Sequence, residues 1–199
     1  MPGTPKDASP LIPRIIDAMP AEWRGTTFNN SNLLGREGFG KNLETMLDRC
    51  TEQGTLTTAD LESLGMAEDY LRVASNVSSM LEGLIAREKG LPLQNVVSFA
   101  SKTMPVVAVV LTNPGKAIHL YCGSQESPVG PEAQKVLGFL GGNFENHAST
   151  PAAHPDGVVL ALEGVEGAQG NDAVDGILGP NVLYIQRPDK IQPKEIEII

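Results

Sequence analysis

Near Gly90 the apolar residues change their spacing, and that change limits what this chain can fold into. Before it they recur at helical intervals. Phe39, Leu43, Met46, Leu47 and Cys50 fall on one face of a predicted helix that Gly54 ends. Tyr70, Val73, Ala74, Val77, Met80, Leu81, Leu84 and Ile85 form a second, longer stripe. Glu68 and Asp69 sit at the positive end of that helix dipole, and Arg87 and Lys89 at the negative end. After Gly90 the apolar residues come in short runs of β type. The sequence therefore reads as α+β: a helical N-terminal layer over about residues 10–90, packed on a mostly antiparallel sheet of about five strands, with one further helix at about 131–140.

Particular segments follow from local signals. Leu11 to Met19 reads as a short helix ended by Pro20. Residues 24–38, rich in Asn and Gly, read as a loop. Thr57 or Thr58 is a natural N-cap for a helix reaching Gly65. Val96 to Ala100 reads as a strand. The unbroken run Val106 to Leu111 reads as a strand buried on both faces. Asn113-Pro114-Gly115-Lys116 has β-turn chemistry, which pairs 106–112 with 117–122 as a hairpin. Gly157–Leu162 and Asn181–Gln186 complete the strands, and residues 163–180 between them are Gly-rich, acidic and read as a loop. Residues 1–10 read as a flexible tail and 11–199 as a single domain. Lys194–Ile199 reads either as a helix cut short from a longer protein or as a last element that packs down.

Charge narrows the partners. Net charge is −9, and both halves share it: residues 1–100 hold 9 basic and 13 acidic side chains, residues 101–199 hold 6 and 11. Phosphate binding needs clustered Lys and Arg, so nucleic acid is not the expected partner, nor is an anionic membrane surface. An acidic surface favours a basic protein partner. Two cysteines are too few for a disulfide framework, and no stretch has signal-peptide or membrane-spanning length. The expected location is cytoplasmic. The residues leave the oligomeric state open, and no cofactor is expected.

Three sets of residues are candidates for chemistry. Cys122 ends a predicted strand, and His154 and Asp156 lie downstream. A cysteine nucleophile needs a base in reach and a group to orient that base, and these three supply the types. Cys122-Gly123-Ser124 resembles a fragment of the papain-type active-site motif, without its flanking Gln and Trp. By alternation, Cys122 shares a face with Ile118 and Leu120, while His119 and Tyr121 point the other way. Glu163, Glu166, Asp172 and Asp175 offer oxygen ligands for Ca²⁺ or Mg²⁺, although their spacing is not that of an EF-hand. The three histidines, His119, His147 and His154, show no metal-ligand spacing. Ser101-Lys102-Thr103 is superficially similar to the lysine stretch of pyridoxal-phosphate aminotransferases, whose large preceding domain this chain lacks. Asp175–Pro180 is similar to a short part of a metal-dependent aldolase barrel, but the helical first 90 residues do not fit a barrel. The leading expectation is a non-catalytic binding or regulatory domain that engages a protein partner. The alternative is a cysteine-dependent hydrolase or transferase with Cys122 as nucleophile, His154 as base and Asp156 as orienter.

Overall fold

The computed structural model describes residues 6–20, 23, 34–67 and 75–197. They divide into two units, Met1–Val96 and Val97–Ile199, each with its own apolar core. Glu68, Asp69, Tyr70, Val73, Ala74 and most of the 24–38 loop lie outside the described residues.

In the first unit, a proline in the first turn opens α1 (Ile12–Ala18). Helix α2 (Gly35–Gln53) buries Phe39, Leu43, Met46, Leu47 and Cys50, the face its spacing predicts, and Gly54 closes it at φ +70°. It begins earlier than the sequence suggested: Gly35 to Gly38 form its first turn, not a loop. Thr57 and Asp60 form a reciprocal cap on α3 (Thr58–Glu62). Helix α4 (Asn76–Lys89) starts from a Ser75 cap and stops at Gly90, φ +65°. Its buried face matches the predicted stripe only in part: Met80 and Leu84 are buried. Val77 and Leu81 are exposed, while Glu82 and Arg87 are buried. Those charges are tolerated because they are paired. Arg36 Nη1 donates to Glu82 Oε2 at 2.8 Å. Arg87 donates to Glu44 at 2.6 Å and Asp48 at 2.7 Å. Gly83 lets α4 approach α2, since a Cβ there would lie 2.2 Å from Leu43 Cδ2.

The described strands form a six-stranded sheet that, but for Val96, belongs to the second unit: β1 (Val96–Ser98), β2 (Ala117–Tyr121), β3 (Asn143–His147), β4 (Val158–Leu162), β5 (Gly176–Gly179) and β6 (Val182–Ile185), in the order β1-β6-β5-β4-β2-β3. The β2/β3, β2/β4 and β4/β5 pairs are parallel, and β5/β6 is antiparallel. The expectation of a mostly antiparallel sheet is therefore wrong. Its source is the predicted hairpin: residues 106–112 are not a strand but lie in helix α5 (Met104–Thr112). Proline in the first turn suits a helix start. Valine lowers helix propensity by only a few tenths of a kcal/mol, whereas burying one is worth about 1.5–3 kcal/mol, so packing decides. Val106, Val109 and Val110 are all buried in the core under the sheet. Asn113–Lys116 then joins helix to strand, with the Asn113 amide donating to Val109 O at 3.1 Å and Gly115 at φ +78°.

Helix α6 (Pro131–Phe139) matches its prediction and forms the crossover that the parallel β2/β3 pair requires. Strands β3 and β5 are additions to the predicted set. The last helix, α7 (Pro193–Glu197), follows Ile191 and contributes Ile196 to the core. No helix among the described residues is long and apolar enough to cross a membrane.

Candidate metal centre

Strand β2 carries His119-Leu120-Tyr121, and β3 carries Glu145-Asn146-His147. Alternation puts His119 and Tyr121 on one face of β2, and Glu145 and His147 on one face of β3. The parallel register sets His119 beside Glu145 and Tyr121 beside His147. His154 arrives from the segment between β3 and β4. Its ring stacks on His119 with centroids 3.5 Å apart, and its Nε2 lies 2.8 Å from Tyr121 Oη. Tyr121 also stacks on His147, centroids 4.6 Å apart. All three histidines of the chain thus meet, with one ligand nitrogen from each within 4.8 Å of the others.

Two details hold this arrangement. His119 Nδ1 lies 3.1 Å from His147 Nε2, and Glu145 Oε2 lies 3.4 Å from the first nitrogen and 3.8 Å from the second. Gly157 lets the His154 segment pass close to β2. A Cβ at Gly157 would lie 2.8 Å from His119 Cδ2 and 2.9 Å from the Ala117 carbonyl oxygen. His119 is buried, His147 and His154 are half-buried, and Glu145 stands at the rim. Burial holds His119 below the ordinary histidine value. His154 pushes the same way, Glu145 opposes, and His147 adds a smaller lowering.

The other sequence candidates do not assemble. Cys122 is buried in the core on the opposite face, as alternation indicated. Burial pushes its thiol up, and its sulfur faces Asn146 Oδ1 at 3.8 Å. Asp156 is exposed, and His154 is engaged by Tyr121 and His119 instead. Among the described residues, Glu163, Glu166, Asp172 and Asp175 form no group with convergent ligand atoms. Glu166 and Asp172 are exposed.

Asp175 is buried and structural. Its Oδ2 accepts from Val159 N at 2.8 Å, and its own N–H donates to Val159 O at 2.8 Å. This reciprocal pair starts the β4/β5 ladder. Burial raises the Asp175 carboxyl above its ordinary value; the Val159 bond and Arg187 only partly oppose this. A raised carboxyl favours the protonated folded state. Its contribution is full below the unfolded value of 3.8 and is lost as pH rises through the folded value. Asp175→Asn, which still offers an acceptor to Val159, removes that titration. The stability of the natural protein relative to Asp175→Asn should therefore fall as pH climbs from acid to neutral in urea titrations. A flat difference would refute the assignment.

One signal for the histidine site was present in the sequence. His119-x-Tyr121 and Glu145-x-His147 each place two polar rings or ligands on one strand face. The second is hidden because Asn143–His147 has no apolar alternation and so carries no strand signal.

No protein-family model matches this chain, and no curated protein matches it. Among solved structures, the chain is similar to a C-DES mutant with glycine covalently linked to its PLP cofactor, at 10% identity and a TM-score of 0.35. The match covers 82% of this chain and 58% of that one. A likeness so distant assigns neither activity nor cofactor, and the function has to be argued from the site.

Proposed function

We propose that the second unit is a binding domain for a divalent transition-metal ion, Zn²⁺ foremost, held by His119, His147 and His154. One observation carries this reading: the chain's three histidines come from β2, β3 and the segment before β4, yet converge on one sheet face. Imidazole nitrogens suit Zn²⁺, Cu²⁺ and Ni²⁺ far better than Ca²⁺ or Mg²⁺. Around a tetrahedral zinc, neighbouring nitrogens are about 3.3 Å apart. The 3.1 Å between His119 and His147 is close to that value. Ligating histidines are usually held by a second partner, and Tyr121 supplies one for His154. The cysteine-hydrolase reading has less support, because a reactive thiol needs an electropositive, partly exposed setting and Cys122 is buried among apolar side chains. A binding role without catalysis, with a basic protein partner suited to the net charge of −9, fits the same reading.

Calorimetry tests it. Metal-stripped protein should bind one Zn²⁺. His119→Ala, His147→Ala and His154→Ala should each weaken binding about 100-fold or more, since losing even an outer partner of a ligand costs 10–100-fold. Circular dichroism would confirm that each variant folds. Wild-type affinity in all three folded variants would sink the proposal.

A further inference from the structure

Resting on the three-histidine reading, we infer that Glu145 is the fourth ligand, so that the metal sits in a closed His₃Glu site that ties edge strand β3 to β2. The geometry is specific. His119 Nδ1, His147 Nε2 and Glu145 Oε2 form a triangle with sides of 3.1, 3.4 and 3.8 Å. The edge of a tetrahedron around zinc with nitrogen and oxygen ligands is about 3.3 Å. These three atoms are therefore spaced as one face of a coordination tetrahedron, and a His154 nitrogen lies within 4.8 Å of a ligand nitrogen on each of the other two histidines. The register gives the reason. Glu145 is the β3 residue directly opposite His119, and His147 lies two residues further along the same face.

Closure matters for the role. Catalytic zinc sites keep one position for water, whereas structural sites fill all four with protein ligands. Four ligands here imply a site that holds structure. Strand β3 has use for such a clamp. Among the described residues it lies at the sheet edge, paired with β2 alone, and none of its five residues is fully buried. Little apolar burial fastens it. Two ligands on β3, one on β2 and one on the incoming segment would bind residues 143–154 to the sheet through a single ion. Glu145 remains half-exposed, with 51% of its side chain accessible. The ion can thus enter and leave from solvent, and the order of β3 would follow metal supply.

Three measurements on the intact chain test this. Glu145→Gln should weaken Zn²⁺ binding by about 10–100-fold. With Co²⁺ as a spectroscopic substitute, the visible bands of the wild type should have tetrahedral intensity and should change in Glu145→Gln. Zn²⁺ should slow hydrogen exchange of the β3 amides in the wild type, and less in the variant. Glu145→Ala is a second variant should the amide itself ligate. Suppose Glu145→Gln and Glu145→Ala both bind Zn²⁺ like wild type with an unchanged Co²⁺ spectrum, while His119→Ala does not bind. The fourth ligand is then refuted and the three-histidine site stands. Absence of Zn²⁺ binding by the wild type overturns both.

Discussion

Glu82→Ala should destabilise the first unit by about 3–5 kcal/mol, the usual cost of breaking a buried ion pair by removing one member. The side chains of Arg36 and Glu82 are only 6% and 4% exposed, and they meet at 2.8 Å. The guanidinium also donates to the Val96 carbonyl at 2.9 Å and the Leu93 carbonyl at 3.4 Å. Carbonyl dipoles help, but they do not replace a carboxylate in a medium that screens poorly. Truncation would leave the Arg36 cation without this counter-charge and would open a gap in α4.

A paired substitution separates charge from packing. Arg36→Met with Glu82→Leu removes both ions and keeps most of the volume. Apolar replacement of a buried pair is often neutral or stabilising, so the double variant should lie within about 2 kcal/mol of wild type despite the lost carbonyl bonds. Trp23, the chain's single tryptophan, belongs to the same core, so its fluorescence in urea reads this unit. A double variant as unstable as Glu82→Ala would mean that shape, and not the broken ion pair, sets the cost.

The helices of the first unit were legible because apolar spacing and caps agreed. Phe39 to Cys50 is a clean face, and Thr57, Gly54 and Gly90 act where their chemistry places them. The stripe of helix α4 holds only in part: Met80 and Leu84 are buried, but spacing counts only apolar residues and this helix also buries Glu82 and Arg87 against partners 39 to 46 residues away. The α5 run was misread for a related reason. An unbroken apolar run carries no periodicity, even though Leu111 is exposed, and a short apolar stretch then fits a strand as well as a helix. That one error turned a helix–strand connection into a hairpin and the sheet into an antiparallel one. The histidine site was lost through β3. An exposed edge strand with the sequence Asn-Phe-Glu-Asn-His shows no strand signal, so nothing linked His147 to His119. Strand β5 was lost through Gly176 and Gly179, which read as loop residues.

Gly176 is in fact a packing residue, and the sign of its substitution should depend on the side chain opposite it. It pairs in register with Leu160 on central strand β4. A Cβ at Gly176 would lie 3.0 Å from Leu160 Cδ2, 3.0 Å from Leu183 Cδ1 and 3.1 Å from Ile191 Cδ1. All three of those side chains are fully buried. Leu160→Ala should cost about 2–5 kcal/mol through lost burial and the cavity it leaves. Gly176→Ala alone crowds the core, which costs about 1–3 kcal/mol, and recovers about 0.4–1 kcal/mol by restricting the unfolded chain. The net effect should be a loss of about 1 kcal/mol. With Leu160 already shortened, one of the three close contacts is gone, Leu183 and Ile191 have space to shift into, and the new methyl fills part of the cavity. Gly176→Ala should then stabilise by about 1 kcal/mol, a coupling of about 2 kcal/mol, within the range for residues in contact. Native-state hydrogen exchange of the β4 amides across the four proteins would measure this within the second unit. If the two substitutions simply add, Gly176 does not mould the core around Leu160.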